Sequence, residues 1–209
     1  MNWILAGLIM SLPIGIGELL VKRFKRKEDA RKFVHISAGL CAASLPILLD
    51  FNQIAILALA FTPPMIIAKK KSLMASMSGV KRKTYGEILF SIGVAAVAFW
   101  VQRVEVYLFG ILVMALSDGF ASVVGSRFGK KKFKIFIAEK SYIGSLAFFL
   151  IALAVGIVLI AAYELGYENV GVLLLISAAI TFEEASLPYG LDNLFVPLSA
   201  ALLFSAFIV

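Results

Sequence analysis

The chain has 209 residues, 61% of them hydrophobic, with a mean hydropathy of +0.97 and a formal net charge of +7. A soluble domain is nearer half apolar, so the composition excludes an ordinary water-soluble globule and indicates an integral membrane protein. The one cysteine, Cys41, excludes a disulfide framework within one chain, and no stretch is left over for a soluble domain, so 1–209 reads as a single membrane-embedded unit.

A bilayer-crossing helix needs roughly 20 mostly apolar residues. In chain order the apolar runs are 3–21, 33–49, 51–68, 87–101, 104–126, 144–163, 170–182 and 194–209. The expected fold is all-α: a polytopic integral membrane helical bundle of about eight transmembrane helices. Several runs are short, which implies tilting or breaks. The first run lacks a basic leader and a small-residue cleavage pattern, so it is expected to stay as a span. Pro13, with Gly15 and Gly17, should loosen it. Pro63-Pro64 is expected to break or kink the third run near its end. Pro188-Tyr189-Gly190 reads as a turn between the last two.

Charge orients the bundle. Seven Lys and Arg lie within 22–32, six within 69–83 and six within 127–140, which leaves only Arg103 elsewhere. These clusters fall in every second loop. The positive-inside rule makes those loops cytoplasmic and places both termini outside. The basic excess therefore indicates topology and lipid-headgroup contact, not nucleic-acid binding. Chemistry-bearing residues gather on that inner face.

In chain order the first group is Arg31-Lys32-Phe33-Val34-His35, running to Gly39. It holds the only histidine, and Arg31 and His35 share a helix face at i, i+4. The second is Arg82-Lys83-Thr84-Tyr85-Gly86-Glu87, where Glu87 opens an apolar run and also suits a helix N-terminus. The third begins at Asp118. A carboxylate inside an apolar run is costly and is a functional candidate by default. Gly119, Ala121, Ser122, Gly125 and Gly129 follow it and permit close approach of backbone or ligand. Lys140 and Ser141, just before a helix beginning at Gly144, offer a cation, a hydroxyl and free amides suited to phosphate. Gly129-Lys130 lacks Walker A spacing. The fourth group holds Glu183, Glu184 and Asp192 around the tight turn. With Asp118 these acids offer hard oxygen ligands for Mg²⁺, which favours carboxylates plus substrate phosphates.

These blocks, in this order, resemble the polyprenol kinase family of dolichol, phytol and farnesol kinases. The resemblance covers Arg31 to Leu198. It rests on Arg-Lys-x-x-His-x-x-x-Gly, Tyr-Gly-Glu, Asp-x-x-Ala-x-x-x-Gly-x-x-x-Gly, Lys-Ser-x-x-Gly-Ser and Asp-Asn-x-x-Val-Pro. It implies phosphorylation of a long isoprenoid alcohol, with CTP rather than ATP as donor. The third and fourth groups also resemble CTP-dependent phosphatidate cytidylyltransferases, in which the acids matching Asp118 and Asp192 hold metal. The chain departs from those enzymes at Asp192-Asn193, where they carry a longer Asp-Arg-x-Asp ending. His35 and Tyr85-Gly86-Glu87 are kinase-like.

The expectation is a CTP-dependent isoprenoid alcohol kinase. Asp118 and Asp192 hold Mg²⁺, assisted by Glu183 or Glu184. Gly125, Arg127, Gly129, Lys132, Lys140, Ser141 and Gly144 cradle the nucleotide. Arg31, Lys32, Arg82 and Tyr85 face the transferred phosphate and substrate. His35 and Glu87 are the general-base candidates. The alternative is a CDP-lipid synthase using the same metal site. A transporter would place acids mid-span and on both faces, which this pattern disfavours. The membrane would be the cell membrane in a prokaryote and the endoplasmic reticulum or plastid in a eukaryote.

Overall fold

The computed structural model describes residues 2–21, 27–71, 73 and 84–209, apart from the side chains of residues 27 and 28. Arg82, assigned to the phosphate from sequence, and much of the first two basic loops lie outside the described residues.

The apolar runs become helices. They are α1 (Asn2–Leu20), α2 (Lys27–Ser44), α3 (Phe51–Lys70), α4 (Gly86–Trp100), α5 (Val104–Leu112), α6 (Gly119–Phe128), α7 (Tyr142–Ala162), α8 (Val170–Ser186) and α9 (Asp192–Phe207). A wide π-type turn, Val113–Asp118, joins α5 to α6 in one continuous rod. The expected all-α membrane bundle is what the chain forms. Among the described residues five rods are long and apolar enough to cross a bilayer: α1, α3, α5–α6, α7 and the one ending in α8. Helices α4 and α9 are apolar but shorter, and α2 carries charge along its first turns.

Pro63-Pro64 does not break α3, which runs unbroken from Phe51 to Lys70. Both prolines are exposed on the outside of the bundle. The rest of the i, i+4 ladder carries the rod. At its start Asp50 and Gln53 form a reciprocal capping box. Pro188-Tyr189-Gly190 makes the expected turn, with Gly190 at φ +89°, a conformation glycine adopts without strain.

The core is aromatic and aliphatic. Tyr107, Phe109, Phe148 and Phe204 are fully buried, and Phe109 stacks on Phe204 with centroids 4.4 Å apart. Without a hydrophobic force between helices in lipid, close approach of small residues does much of the docking. A side chain at Gly93 would meet the Asn193 carbonyl at 2.2 Å, and one at Gly39 would meet Ala115 at 2.2 Å. Gly93 therefore sets how closely α4 approaches α9, and Gly39 how closely α2 approaches the π-type turn. Gly93→Val is expected to destabilise the protein by about 1–3 kcal/mol through overpacking against backbone that cannot give. Thermal unfolding in detergent, beside an exposed control such as Gly171→Ala, checks this.

One segment read as basic loop is structured. Lys132–Ile135 pairs with Ala138–Ser141 as an antiparallel hairpin, with Lys132 opposite Ser141 and Ile135 opposite Ala138. Its tip carries Phe136 at φ +51° and 81% exposed. The hairpin feeds directly into α7, where the Ser141 side chain caps the helix by accepting from the Gly144 amide at 3.1 Å.

Candidate active site

The charged residues converge at one end of the bundle because four close approaches tie that end together. The buried Lys32, on α2, donates through its ammonium to the Ser122 carbonyl at 2.8 Å and to Ser126 Oγ at 3.0 Å on α6. Lys69, at the end of α3, pairs with Glu87 of α4 at 2.8 Å and also reaches the Thr84 carbonyl. The Tyr85 amide donates to the Tyr189 carbonyl at 2.9 Å, which ties the α3–α4 connection to the α8–α9 turn. Lys140 joins the hairpin to α8 and α9.

At the centre three carboxylates from three elements meet. Ligand-capable oxygens of Asp118, Glu184 and Asp192 all lie within 4.8 Å of one another. Lys140 pairs with Glu184 and stands 3.6 Å from Asp192 Oδ2. Burial works against the charge on Lys140, but Glu184, Asp192 and Asp118 outweigh it and hold the ammonium above its ordinary pKa. When ionised, three carboxylates around one ammonium leave two negative charges uncompensated. A divalent, oxygen-seeking cation such as Mg²⁺ matches both the charge and the donor type.

His35 stands against Asp118. Its Nε2 lies 3.3 Å from Asp118 Oδ2 and 3.0 Å from the Met114 carbonyl. Both neighbours accept, so Nε2 carries the proton and Nδ1 is left as the basic nitrogen. Met114 belongs to the π-type turn, and π-type turns within helices frequently mark functional sites. A side chain at Gly119 would strike Ile36, so this glycine is what lets α2 bring His35 to Asp118.

A cavity of about 540 Å³ opens beside the carboxylates. Arg31, Lys32, Gly125, Lys132, Lys140, Ser141 and Gly144 line it, as do Asp118, Glu184 and Asp192. Its walls come from α2, α6, the hairpin, the start of α7 and the α8–α9 turn. The size suits a nucleotide, and the lining offers both cations and acids. A second cavity, about 80 Å³ and mostly apolar, lies between α1, α2, α3 and α4. His35 and Glu87 line this second cavity, and Arg31 and Asn193 line both.

Over 184 residues the chain is 30% identical to a phytol kinase of Synechocystis sp., an alignment covering 84% of this chain and 78% of that one. The chain belongs to the polyprenol kinase family. Over 117 residues it is also 35% identical to an uncharacterized protein of Methanocaldococcus jannaschii, covering 56% of each chain. No family model and no solved structure matches it.

For this kinase family member, the other sequence-assigned residues fall as follows. Glu184 joins the carboxylate cluster and is buried, whereas its neighbour Glu183 accepts from Ser199 at 2.9 Å and does not line the large cavity. One step along a helix turns a side chain by about 100°, so only one of two consecutive acids can face the site. Glu87 is occupied by Lys69 on the apolar-cavity side, apart from the carboxylate cluster. Arg127 is half exposed and stands 4.0 Å from Asp29. Gly129 packs against Gly125 and Ser141, shaping the wall behind the cavity. Tyr85 is exposed beneath the Lys69 ammonium, 5.3 Å from its ring centroid.

Asn193 was given no role from sequence. It is buried, its amide donates to the Gly86 carbonyl at 3.2 Å, and its Oδ1 has no hydrogen-bond partner among the described residues. Its place directly after Asp192, before an apolar run, was the available signal.

Proposed function

We propose that the protein is a CTP-dependent kinase that transfers the γ-phosphate to the hydroxyl of a long-chain isoprenoid alcohol at the cytoplasmic membrane face. The observation that carries the reading is the meeting of Asp118, Glu184 and Asp192 beside a cation-lined cavity, in a chain of this family. The motif resemblance supports CTP as donor, and the clustering of Lys and Arg in alternate loops supports the inner face.

In this mechanism Asp118, Glu184 and Asp192 would hold Mg²⁺, which when bound would supply neutralisation of the phosphate charge. Lys140, Lys132 and Arg31 face the same cavity and steady the triphosphate, and Ser141 and Gly144 present hydroxyl and backbone close to it. The alcohol oxygen bonds to the γ-phosphorus, the bond to the β–γ bridging oxygen breaks, and CDP leaves with that electron pair. His35 Nδ1 takes the hydroxyl proton, while the Asp118 contact fixes the ring and favours the imidazolium that forms.

The test is an assay of purified protein in detergent with Mg²⁺, [γ-³²P]CTP and a panel of isoprenoid alcohols. Label is expected in the lipid phase, and EDTA is expected to abolish it. A nucleotide-lipid product with release of pyrophosphate, when a lipid phosphate is supplied, would make the protein a CDP-lipid synthase instead.

A further inference from the structure

The two cavities meet at shared side chains, and their linings differ. The large one is polar and charged. The small one is walled by Met10 and Ile14 of α1, Ala38 of α2, Ala58 and Phe61 of α3, and Val94 of α4. Its polar lining is Arg31, His35, Glu87, Ser91 and Asn193; of these Arg31 and Asn193 also line the large cavity, and His35 is in contact with Asp118. The buried Asn193 Oδ1 is an acceptor with no partner among the described residues, and the amide nitrogen is already committed to the Gly86 carbonyl. A buried unpaired acceptor is costly unless a donor arrives to meet it. An alcohol hydroxyl is such a donor.

Resting on the kinase reading above, we infer that the small cavity seats the hydroxyl-bearing first isoprene unit of the acceptor, with Asn193 Oδ1 receiving the hydroxyl at its mouth onto the nucleotide cavity. A space of about 80 Å³, at about 10–15 Å³ for each water-sized occupant, takes five carbons and a hydroxyl but not a long chain. The rest of the tail therefore runs out into lipid. The route is between α1 and α3, because α1 packs along α2 and α3 along α4, with no extended α1–α3 contact among the described residues. Selectivity then falls on the first isoprene unit, and chain length beyond it is weakly discriminated. Asn193 is a positioning residue: it aims the hydroxyl that His35 deprotonates.

The experiment uses the full chain in detergent and a tritiated geranylgeraniol analogue carrying a diazirine in its first isoprene unit, without nucleotide. Photolysis is expected to label α1 and α3 near Met10, Ile14, Ala58 and Phe61, and excess geranylgeraniol to compete the label away. Ala58→Leu, which fills the cavity, is expected to lower competed labelling at least tenfold and to leave CTP binding within twofold. Competed labelling confined to α7 or α8, or no competed labelling, overturns the inference. Unchanged labelling in a folded Ala58→Leu protein does so too. Should that variant fail to fold, the wild-type labelling map decides alone. The photolabel reads binding rather than transfer. If competed label lies at α1 and α3 but no phosphate reaches the lipid, the kinase reading fails and the alcohol site stands; phosphate transfer with label elsewhere has the opposite meaning.

Discussion

Asp118→Asn is expected to lower the rate of phosphate transfer on the order of 10³-fold or more with little change in thermal stability. Among the described residues, Asp118 is the one acid that both belongs to the carboxylate cluster and pairs with His35. The amide keeps the shape but offers the ion a neutral oxygen and leaves His35 without its anionic neighbour. Several kcal/mol of transition-state charge stabilisation depend on such a ligand, and each tenfold in rate is about 1.36 kcal/mol. Initial rates with saturating CTP and alcohol, beside a melting curve of the same preparation, separate a chemical defect from a folding one. A folded Asp118→Asn protein with more than a tenth of the original rate would remove Asp118 from the centre of the mechanism.

Lys140→Met carries the second large effect, and its sign depends on the metal. Glu184 is 3% exposed, and Lys140 is its ion-pair partner. Removing one member of a buried pair leaves a carboxylate without compensation, at a cost of about 3–5 kcal/mol. In EDTA the variant is therefore expected to melt well below the parent. Added Mg²⁺ supplies the missing positive charge and should recover part of that loss, raising the variant's melting temperature more than the parent's. Lys140→Met combined with Glu184→Gln removes both charges and should recover most of the stability in EDTA while staying inactive. Equal melting temperatures for parent and single variant, with and without Mg²⁺, would mean that Lys140 does not compensate the acids.

The helices were legible because apolar length is what a bilayer demands, and each run from 3–21 to 194–209 has a helix on it. The convergence of Asp118 with Asp192 was legible for the same reason: an acid that must be hidden from lipid has few places to go. What was not legible depends on rotation and on distant partners. Glu183 and Glu184 are chemically the same in sequence, and only the phase of α8 against α9 separates them. Glu87 read as a base candidate, but its pairing with Lys69 requires the end of α3 to fold back beside α4. The hairpin was hidden because each strand is four residues long and carries two charged residues, so its alternation barely rises above that of a charged loop. Asn193 gave only its place directly after Asp192 as a signal, since an unpaired oxygen is visible only once its surroundings are known.

The wide turn at Val113–Asp118 has a consequence for the ancestry and redesign of this protein. It fits one more residue into the rod than a regular helix of the same rise would take, so every side chain after it is set back in azimuth by about 100°. Hydropathy cannot detect this, because Val104–Phe128 has the same apolar content with or without it. A substitution that preserves every hydrophobic letter of the rod but straightens the turn would aim Asp118 at a different neighbour. Insertions and deletions in this stretch are thus under a constraint of angle rather than of composition. Alignments that slide a gap across 113–118 misassign the acid even when every other column is right.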